Sequence, residues 1–307
     1  MEYGLFQFDK EDAQQDVIHH LLVADGHVPF QPEEWFRWRY EQNPSGKAII
    51  VCANEGEKVV ACAVVEKVQV ECDGKIHFCG CVSNMVIGNN VKSSEVIRGL
   101  MDVTEKEAKE HGLEIIFSFR DEFDKLKCAD AGWKYETMGV GYGIRQMKPF
   151  RSIFRLSDLR KAFSPNRCVA YHPDGCELIH YKVLDETNGC HLHHDMLNWL
   201  MSFTNKEYVI IDNDNVTVIA VVGHRGILKE AHLLMMISKR GNVQKRYVID
   251  TINAKIHPDI ISFIGDEHLL SERGLIKRTS QLKYGYKALA VGLDRIDEMA
   301  RTIYRWL

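Results

Sequence analysis

Apolar and polar positions fall into two rhythms along the chain, and they alternate in a regular order. Near the start, the first thirty residues carry a polar helical pattern that Pro29 and Pro32 close. Glu33–Gln42 then reads as an aromatic-rich helix, EEWFRWRYEQ, stopped by Asn43-Pro44. Strand-like runs follow at 48–53 and 59–70, with the turn residues Asn54-Glu55-Gly56-Glu57 between them. Asp73-Gly74 predicts a hairpin turn that feeds a longer strand, Lys75–Ile87.

The rhythm changes after Gly88. Val96, Ile97, Leu100 and Met101 recur at helical spacing, which predicts a helix over Ser93–Glu110 ended by His111-Gly112. A strand over 113–119, a helix over 121–131 capped by Gly132, and a strand over 133–144 complete the first half. The second half repeats these events more faintly. A helix over 193–203 precedes strands at 208–211, 216–222, 231–238 and 260–266, then a short helix at 268–273 and a closing strand at 275–282. Gly132-Trp133 and Gly274-Leu275 hold matching places, so the pattern predicts an internal duplication. The expected division is a first domain at 1–148, a linker at 149–165 and a second domain at 166–307.

Composition narrows the classes. In 307 residues, 45% are hydrophobic and 27% charged, which suits a globular protein with ample core. The formal net charge of -4 gives no global basic field, so neither nucleic acid nor an anionic membrane is an expected partner. The amino terminus has no signal-peptide pattern, and no apolar run reaches membrane-spanning length. Nine cysteines without framework spacing read as reduced thiols, and the expected location is the cytoplasm.

Candidate chemistry concentrates at the strand–loop–helix run MVIGNNVKSSEVIRGLM, residues 85–101. Free backbone amides and the positive end of a helix dipole converge at such a junction, which makes it an anion cradle. The candidates here are Met85, Val86, Ile87, Asn90, Val91, Lys92, Ser93 and Ser94. Trp35, Trp38 and Arg39 can wall a pocket for a ring-shaped ligand, although their helical spacing equally suits docking of the helix on a sheet. His77, Cys79 and Cys81 share one strand face, where His77 can serve as a base and the cysteines suit a core. Cys190–Asp195, CHLHHD, is the densest run of ligand-type residues. Its spacing argues against a metal, and His193 is retained as a substrate contact. His224-Arg225-Gly226-Ile227 has the look of a phosphate loop but sits between two strand runs, as a hairpin turn would.

Element order and particular residues together resemble the GNAT acyltransferase superfamily, and within it a bacterial subfamily found with polysaccharide and nucleotide-sugar genes. The residues that carry this are Trp35, Trp38, Arg39, Tyr40, Asn43, Pro44 and Gly46, with Cys128-Ala129-Asp130-Ala131-Gly132-Trp133-Lys134 near the end of the first half. The resemblance implies an α/β (α+β) fold, a mixed, mostly antiparallel twisted sheet flanked by helices, present as two GNAT-like halves. It implies transfer of an acyl group from acyl-coenzyme A, acetyl or longer, to a small-molecule amine. The fourth strand, 78–87, would hold the pantetheine arm and the loop 88–95 the diphosphate. Tyr142 would stand where this fold sometimes places a tyrosine that protonates the leaving thiolate. Val91, Ser94 and Val96 fall where the family loop has an arginine and two glycines, so the grip would come from main chain rather than side chain. The acceptor implied is a nucleotide-linked amino sugar. A peptide or aminoglycoside amine, and a non-catalytic GNAT-like binding or assembly protein, are the alternatives, and a homodimer is left open.

Overall fold

The computed structural model describes residues 1–8, 32–88, 93–146, 190–202, 207–212, 216–225, 228–238, 245–265 and 275–306, with single positions between 15 and 22. Contacts divide the chain into two compact units. One comprises Met1–Thr137, Gly189–Met196 and Lys283–Tyr304; the other comprises Met138–Asn188, Leu197–Leu282 and Arg305–Leu307. The units therefore interleave along the chain, whereas the division read from sequence is linear. The linker expected at 149–165 lies outside the described residues.

In the first unit the strands β1 (Glu2–Leu5), β2 (Ile49–Glu55), β3 (Lys58–Cys72), β4 (Lys75–Ile87) and β5 (Ile115–Phe119) lie side by side in chain order. β1 through β4 are antiparallel neighbours, and β4 meets β5 in parallel. The end of a late strand, β12 (Leu275–Ala288), continues the sheet by pairing Tyr284–Ala288 antiparallel to β5. The β3–β4 hairpin turns at Asp73 and Gly74, with φ of 50° and 77°, the left-handed pair that an Asp-Gly turn supplies. β1 corrects the helical reading of the amino terminus there.

The parallel step from β4 to β5 requires a crossover, and helix α2 (Ser93–Glu110) provides it. Its Val96, Ile97, Leu100 and Met101 are buried against Val51, Ala53, Ala61, Ala63, Val65, Val82, Met85 and Ile116 of the sheet. Each such side chain contributes roughly 1.5–3 kcal/mol of burial. Gly112, at φ 74°, ends the helix as the sequence predicts. The next helix, α3 (Arg120–Ala129), stops two residues earlier than expected. Asp130 takes the left-handed conformation at φ 49°, and its N–H donates to the carbonyls of Leu126 and Lys127.

The other sheet face is covered by the aromatic segment. Pro32–Phe36 forms a short helix, α1, and Arg37–Glu41 continues it as a π-turn, with the Gln42 N–H on the Arg37 carbonyl at 2.8 Å. The wider turn changes the facing predicted from a regular helix. Trp35, Phe36 and Tyr40 are all buried, and Tyr40 meets both rings edge-on.

A short strand, β7 (Cys190–Leu192), pairs with the far end of β3 and brings Cys190 opposite Cys72, to which it is disulfide-bonded. This corrects the expectation that all the cysteines are reduced. Cys52, Cys62, Cys79 and Cys81 are buried thiols outside any disulfide, as small core residues.

The second unit repeats the order. β8 (Glu207–Asp212), β9 (Val216–Arg225) and β10 (Leu228–Ser238) are antiparallel neighbours, and β11 (Ile260–Gly265) lies parallel to β10. Helix α5 (Lys245–Ile256), missed in the sequence, makes the crossover and buries Ile249, Ile252 and Ile256 against Val218, Ala220, Ala231, Leu233 and Ile261. β6 (Lys134–Gln146) runs antiparallel to β11. His224 and Arg225 lie on β9 beside the hairpin to β10, where a turn reading of that run puts them. Helix α4 (His194–Ser202) agrees with the sequence within a residue, and α6 (Ile296–Trp306) was not foreseen. The helix expected at 268–273 lies outside the described residues. Among the described residues, no helix is long and apolar enough to cross a membrane.

Two outcomes follow from this packing. A Cβ at Gly80 of β4 would lie 2.7 Å from a Val65 methyl and 3.0 Å from a Leu113 methyl. Gly80→Ala should therefore lower unfolding stability by about 1–3 kcal/mol in a urea titration, as overpacking does. Alkylation of the denatured, unreduced chain should spare Cys72 and Cys190; labelling of either would remove the bridge that ties β7 to β3.

Candidate active site

β4 and β5 pair over four residues only, Cys79–Ile115, Gly80–Ile116, Cys81–Phe117 and Val82–Ser118. β4 then runs on through Ser83–Ile87 with no strand partner on that side among the described residues, while its pairing with β3 continues to Ala61–Ile87. The cause lies in the register. Val65 faces Val82 and Val64 faces Asn84, so Ser83 is an extra residue, a β-bulge that bends β4 away from β5. The bulge opens a wedge between two parallel strands.

Strand alternation assigns the polar groups along that wedge. The Gly88 N–H donates to the Val60 carbonyl at 2.8 Å, so residues 86 and 88 turn their amides toward β3. Met85 and Ile87 accordingly turn theirs toward the wedge. Met85 confirms the direction, since its carbonyl accepts a hydrogen bond from Lys125 Nζ of α3 at 2.5 Å. A charge-assisted donor thus stands at the wedge, beside main-chain amides of the same strand.

Buried polar atoms gather at the same place. Tyr40 Oη accepts from Asn84 Nδ2 at 2.6 Å, and both side chains are buried. Asn84 Oδ1, Ser83 Oγ and Ser118 Oγ are buried with no hydrogen-bond partner among the described residues. Ser118 closes the last parallel pair, and Ser83 and Asn84 begin the splayed segment. Each orphan costs about 1–3 kcal/mol, a cost that a polar ligand entering the wedge would offset. Burial raises the pKa of the Tyr40 phenol; the Arg39 charge and the Asn84 bond pull the other way without cancelling it, so the hydroxyl keeps its proton.

The sequence candidates distribute unevenly around this geometry. Met85, Val86 and Ile87 form the splayed edge, with the Met85 side chain fully buried against α2. Asn90, Val91 and Lys92 lie outside the described residues. Ser93 begins α2, and Ser94 is exposed on its first turn next to Glu95. Trp35 packs within the core, and Arg39 stacks over its ring at 5.0 Å while binding Glu66 Oε1 at 2.7 Å. Burial alone would lower the Arg39 pKa, but the Glu66 carboxylate raises it further, so this guanidinium is a fixed cation in a structural pair. Trp38 is half-buried in the π-turn.

His77 sits eight residues before Met85, about 26 Å along the strand at the usual rise, and its Nδ1 lies 2.9 Å from Glu114 Oε2. The fold does not bring it to the wedge. Tyr142 lies on β6 opposite Ile264, and its side chain is outside the described set. His193 follows β7, its N–H on the Gln69 carbonyl; its ring touches His194, and ligand atoms of His193, His194 and Asp195 fall within 4.8 Å of one another. Burial, and then the neighbouring His194, hold the His193 pKa below the ordinary value. Burial likewise pushes the Cys52 thiol up to about 12 and raises Cys79, so neither is a thiolate nucleophile near neutral pH.

Sequence reasoning missed Ser83, Asn84, Ser118 and Lys125. Tyr40 stands in the aromatic segment read as a possible pocket wall, and the structure shows its hydroxyl paired with Asn84 instead. The bulge has no local sequence signature, so only the register of β3 against β4 reveals these residues.

No protein-family model matches the sequence, and no curated protein matches it. Solved structures do. A GCN5-related N-acetyltransferase from Anabaena variabilis superposes with a TM-score of 0.59 at 11% identity, over 94% of this chain and 74% of that one. Eis1 from Mycobacterium abscessus gives 0.59 at 9% identity, over 94% and 73%. A protein from Enterococcus faecalis described as a probable N-acyltransferase gives 0.59 at 8%, over 94% and 73%. The chain thus has a GNAT-like fold, mixed sheets flanked by helices in a duplicated arrangement.

Tyr40→Phe should lower stability by about 1–2 kcal/mol, because it leaves the buried Asn84 amide without its acceptor. Unfolding of the variant and of Asn84→Leu by urea checks this; equal stability of Tyr40→Phe and the parent would remove the bond from the account.

Proposed function

We propose that the protein is an acyl-CoA-dependent N-acyltransferase and that the wedge between β4 and β5 in the first unit is its donor site. The observation that carries this is the bulge at Ser83, which ends the parallel pairing at Val82–Ser118 and turns the Met85 and Ile87 amides outward. An extended pantetheine arm carries amides of its own and can add to such an edge as a further strand. The residues present fit that group: outward amides, three orphaned polar atoms and the Lys125 ammonium.

In this reading the chain's own groups orient and polarise. The outward amides bind a thioester carbonyl and hold negative charge developing on its oxygen. Tyr40, protonated and held by Asn84, keeps a donor at the splayed segment. A neutral amine needs alignment more than a strong base, which agrees with His77 lying remote from the wedge. The start of α2 faces a diphosphate with its main chain and Ser94, and Glu95 works against it.

For the acceptor we infer the amine of a nucleotide-linked amino sugar, on the resemblance of the aromatic motif and Gly132-Trp133 alone. Trp35 and Arg39 are committed to the core and to Glu66, so the nucleotide would be read elsewhere. One observation favours a second, non-catalytic reading: Lys125 already occupies the Met85 carbonyl, and Val60 takes the Gly88 amide.

Titration of the full chain with coenzyme A and with short and long acyl-CoAs decides between them. Binding heat, a raised melting temperature and slowed amide exchange at Met85 and Ile87 are expected. Their absence with every acyl-CoA would leave the non-catalytic reading standing. Lys125→Met should shift coenzyme affinity by roughly tenfold or more, in line with a charged hydrogen bond of about 1.5–3 kcal/mol.

A further inference from the structure

Three ligand-type side chains meet where β7 gives way to α4. His193 extends the β7 ladder, its N–H on the Gln69 carbonyl at 2.9 Å, and His194 and Asp195 open the helix. His193 Nδ1 lies 3.6 Å from Asp195 Oδ2, and His194 Nε2 lies 3.2 Å from Asp195 Oδ1. The two rings stand 4.1 Å apart between centroids, and one ligand atom from each residue falls within 4.8 Å of the other two.

Spacing alone argues against a metal in CHLHHD, because consecutive residues of one regular element point apart. On a strand the two histidines would face opposite sides, and on a helix they would diverge by about 100°. The run obeys neither rule. The change from strand to helix falls at His193, and it turns both rings toward one carboxylate. Tetrahedral ligands about 2.1 Å from a zinc ion lie roughly 3.4 Å from one another, close to both separations found here. The side chains of His194 and Asp195, 41% and 55% exposed, have room for the small rotations that close the remainder.

Hydrogen bonding does not account for the arrangement. At 3.6 Å the approach of His193 to Asp195 is too long for a hydrogen bond, and His193 Nδ1 is buried with no such partner among the described residues. A buried ring nitrogen left this way is costly unless another group takes it up. The backbone that carries it is fixed: Cys190 is tied to Cys72, and Leu192 is paired with Val70. The fold has therefore ordered these side chains before any ligand arrives. Glu71, opposite His191 in the ladder, adds negative potential at His193. The amino terminus of α4 opposes a cation, and the Asp195 charge in its first turn offsets that.

We propose that His193, His194 and Asp195 form a binding site for a divalent transition-metal ion of the zinc class, with water as the fourth ligand. Two imidazoles and one carboxylate suit Zn²⁺ and its neighbours, whereas Mg²⁺ and Ca²⁺ take oxygen ligands. Three protein ligands leave one tetrahedral position for water. The site holds β7 to α4, and it stands whether or not the wedge at β4 binds a thioester.

Titration of the full, EDTA-stripped chain with Zn²⁺ tests this. One equivalent should bind in calorimetry and raise the melting temperature, because the ion binds the folded chain. Co²⁺ in its place should give the visible absorption of a tetrahedral nitrogen–oxygen site, and Mg²⁺ should give no heat. His193→Gln, His194→Gln and Asp195→Asn should each weaken Zn²⁺ binding by roughly a hundredfold, the upper end of what losing a residue behind the ligands costs. His111→Gln, at the exposed turn after α2, should leave the affinity unchanged. Carbethoxylation of the unmutated chain, mapped by peptide mass, needs no variant: Zn²⁺ should shield His194 and leave His111 reactive. Absence of Zn²⁺ binding, equal affinity in the parent and all three variants, or a His194 as reactive with saturating Zn²⁺ as without it overturns the proposal.

Discussion

The structure turns on one extra residue in β4. Four rungs of parallel pairing hold β4 to β5, and Ser83 then breaks the register with β3, after which β4 stays paired with β3 but no longer with β5. Beside that break lie two amides turned away from β3, the Lys125 ammonium, the Tyr40–Asn84 pair and three polar atoms without partners among the described residues. A flat continuation of the strand would have satisfied the backbone at β5 and left no edge to offer. The bulge gives up sheet hydrogen bonds to β5 along Ser83–Ile87.

That exchange is tolerable because both faces of the sheet are closely covered. α2 buries one side with Val96, Ile97, Leu100 and Met101, and the α1–π segment buries the other with Trp35, Phe36 and Tyr40. The π-turn has a specific consequence. By widening the helix at Arg37–Glu41 it accompanies a Tyr40 whose hydroxyl reaches Asn84 and an Arg39 that reaches Glu66. Three aromatic side chains and one ion pair thus hold the covering segment over β3 and β4, and the disulfide between Cys72 and Cys190 ties β7 to the far end of β3.

The same construction occurs twice with different contents. In the first unit the strand positions before the bulge carry cysteines and a phenylalanine; in the second they carry Glu230, His232 and Ser262. A shared backbone with divergent buried polarity is what duplication followed by separate selection leaves behind. It also explains why the second half looks like a faint copy in the sequence. Its topology persists in strand pairing and apolar alternation, while the buried side chains at the matching pairs differ.

Local sequence determined much of the element list. Asp73-Gly74 set the hairpin, the 96, 97, 100, 101 spacing set α2, and His111-Gly112 ended it, because turn geometry and helical periodicity are short-range properties. The resemblance carried by Trp35, Trp38, Arg39, Tyr40 and Gly132-Trp133 pointed to a fold that solved structures share at about one residue in ten. What tertiary structure alone decided was pairing between distant segments: β7 with β3, Cys72 with Cys190, the end of β12 with β5, and the slip at Ser83 that makes the wedge. A serine in a strand looks the same whether or not it is bulged. Only the partner strand, some twenty residues away, fixes which one it is.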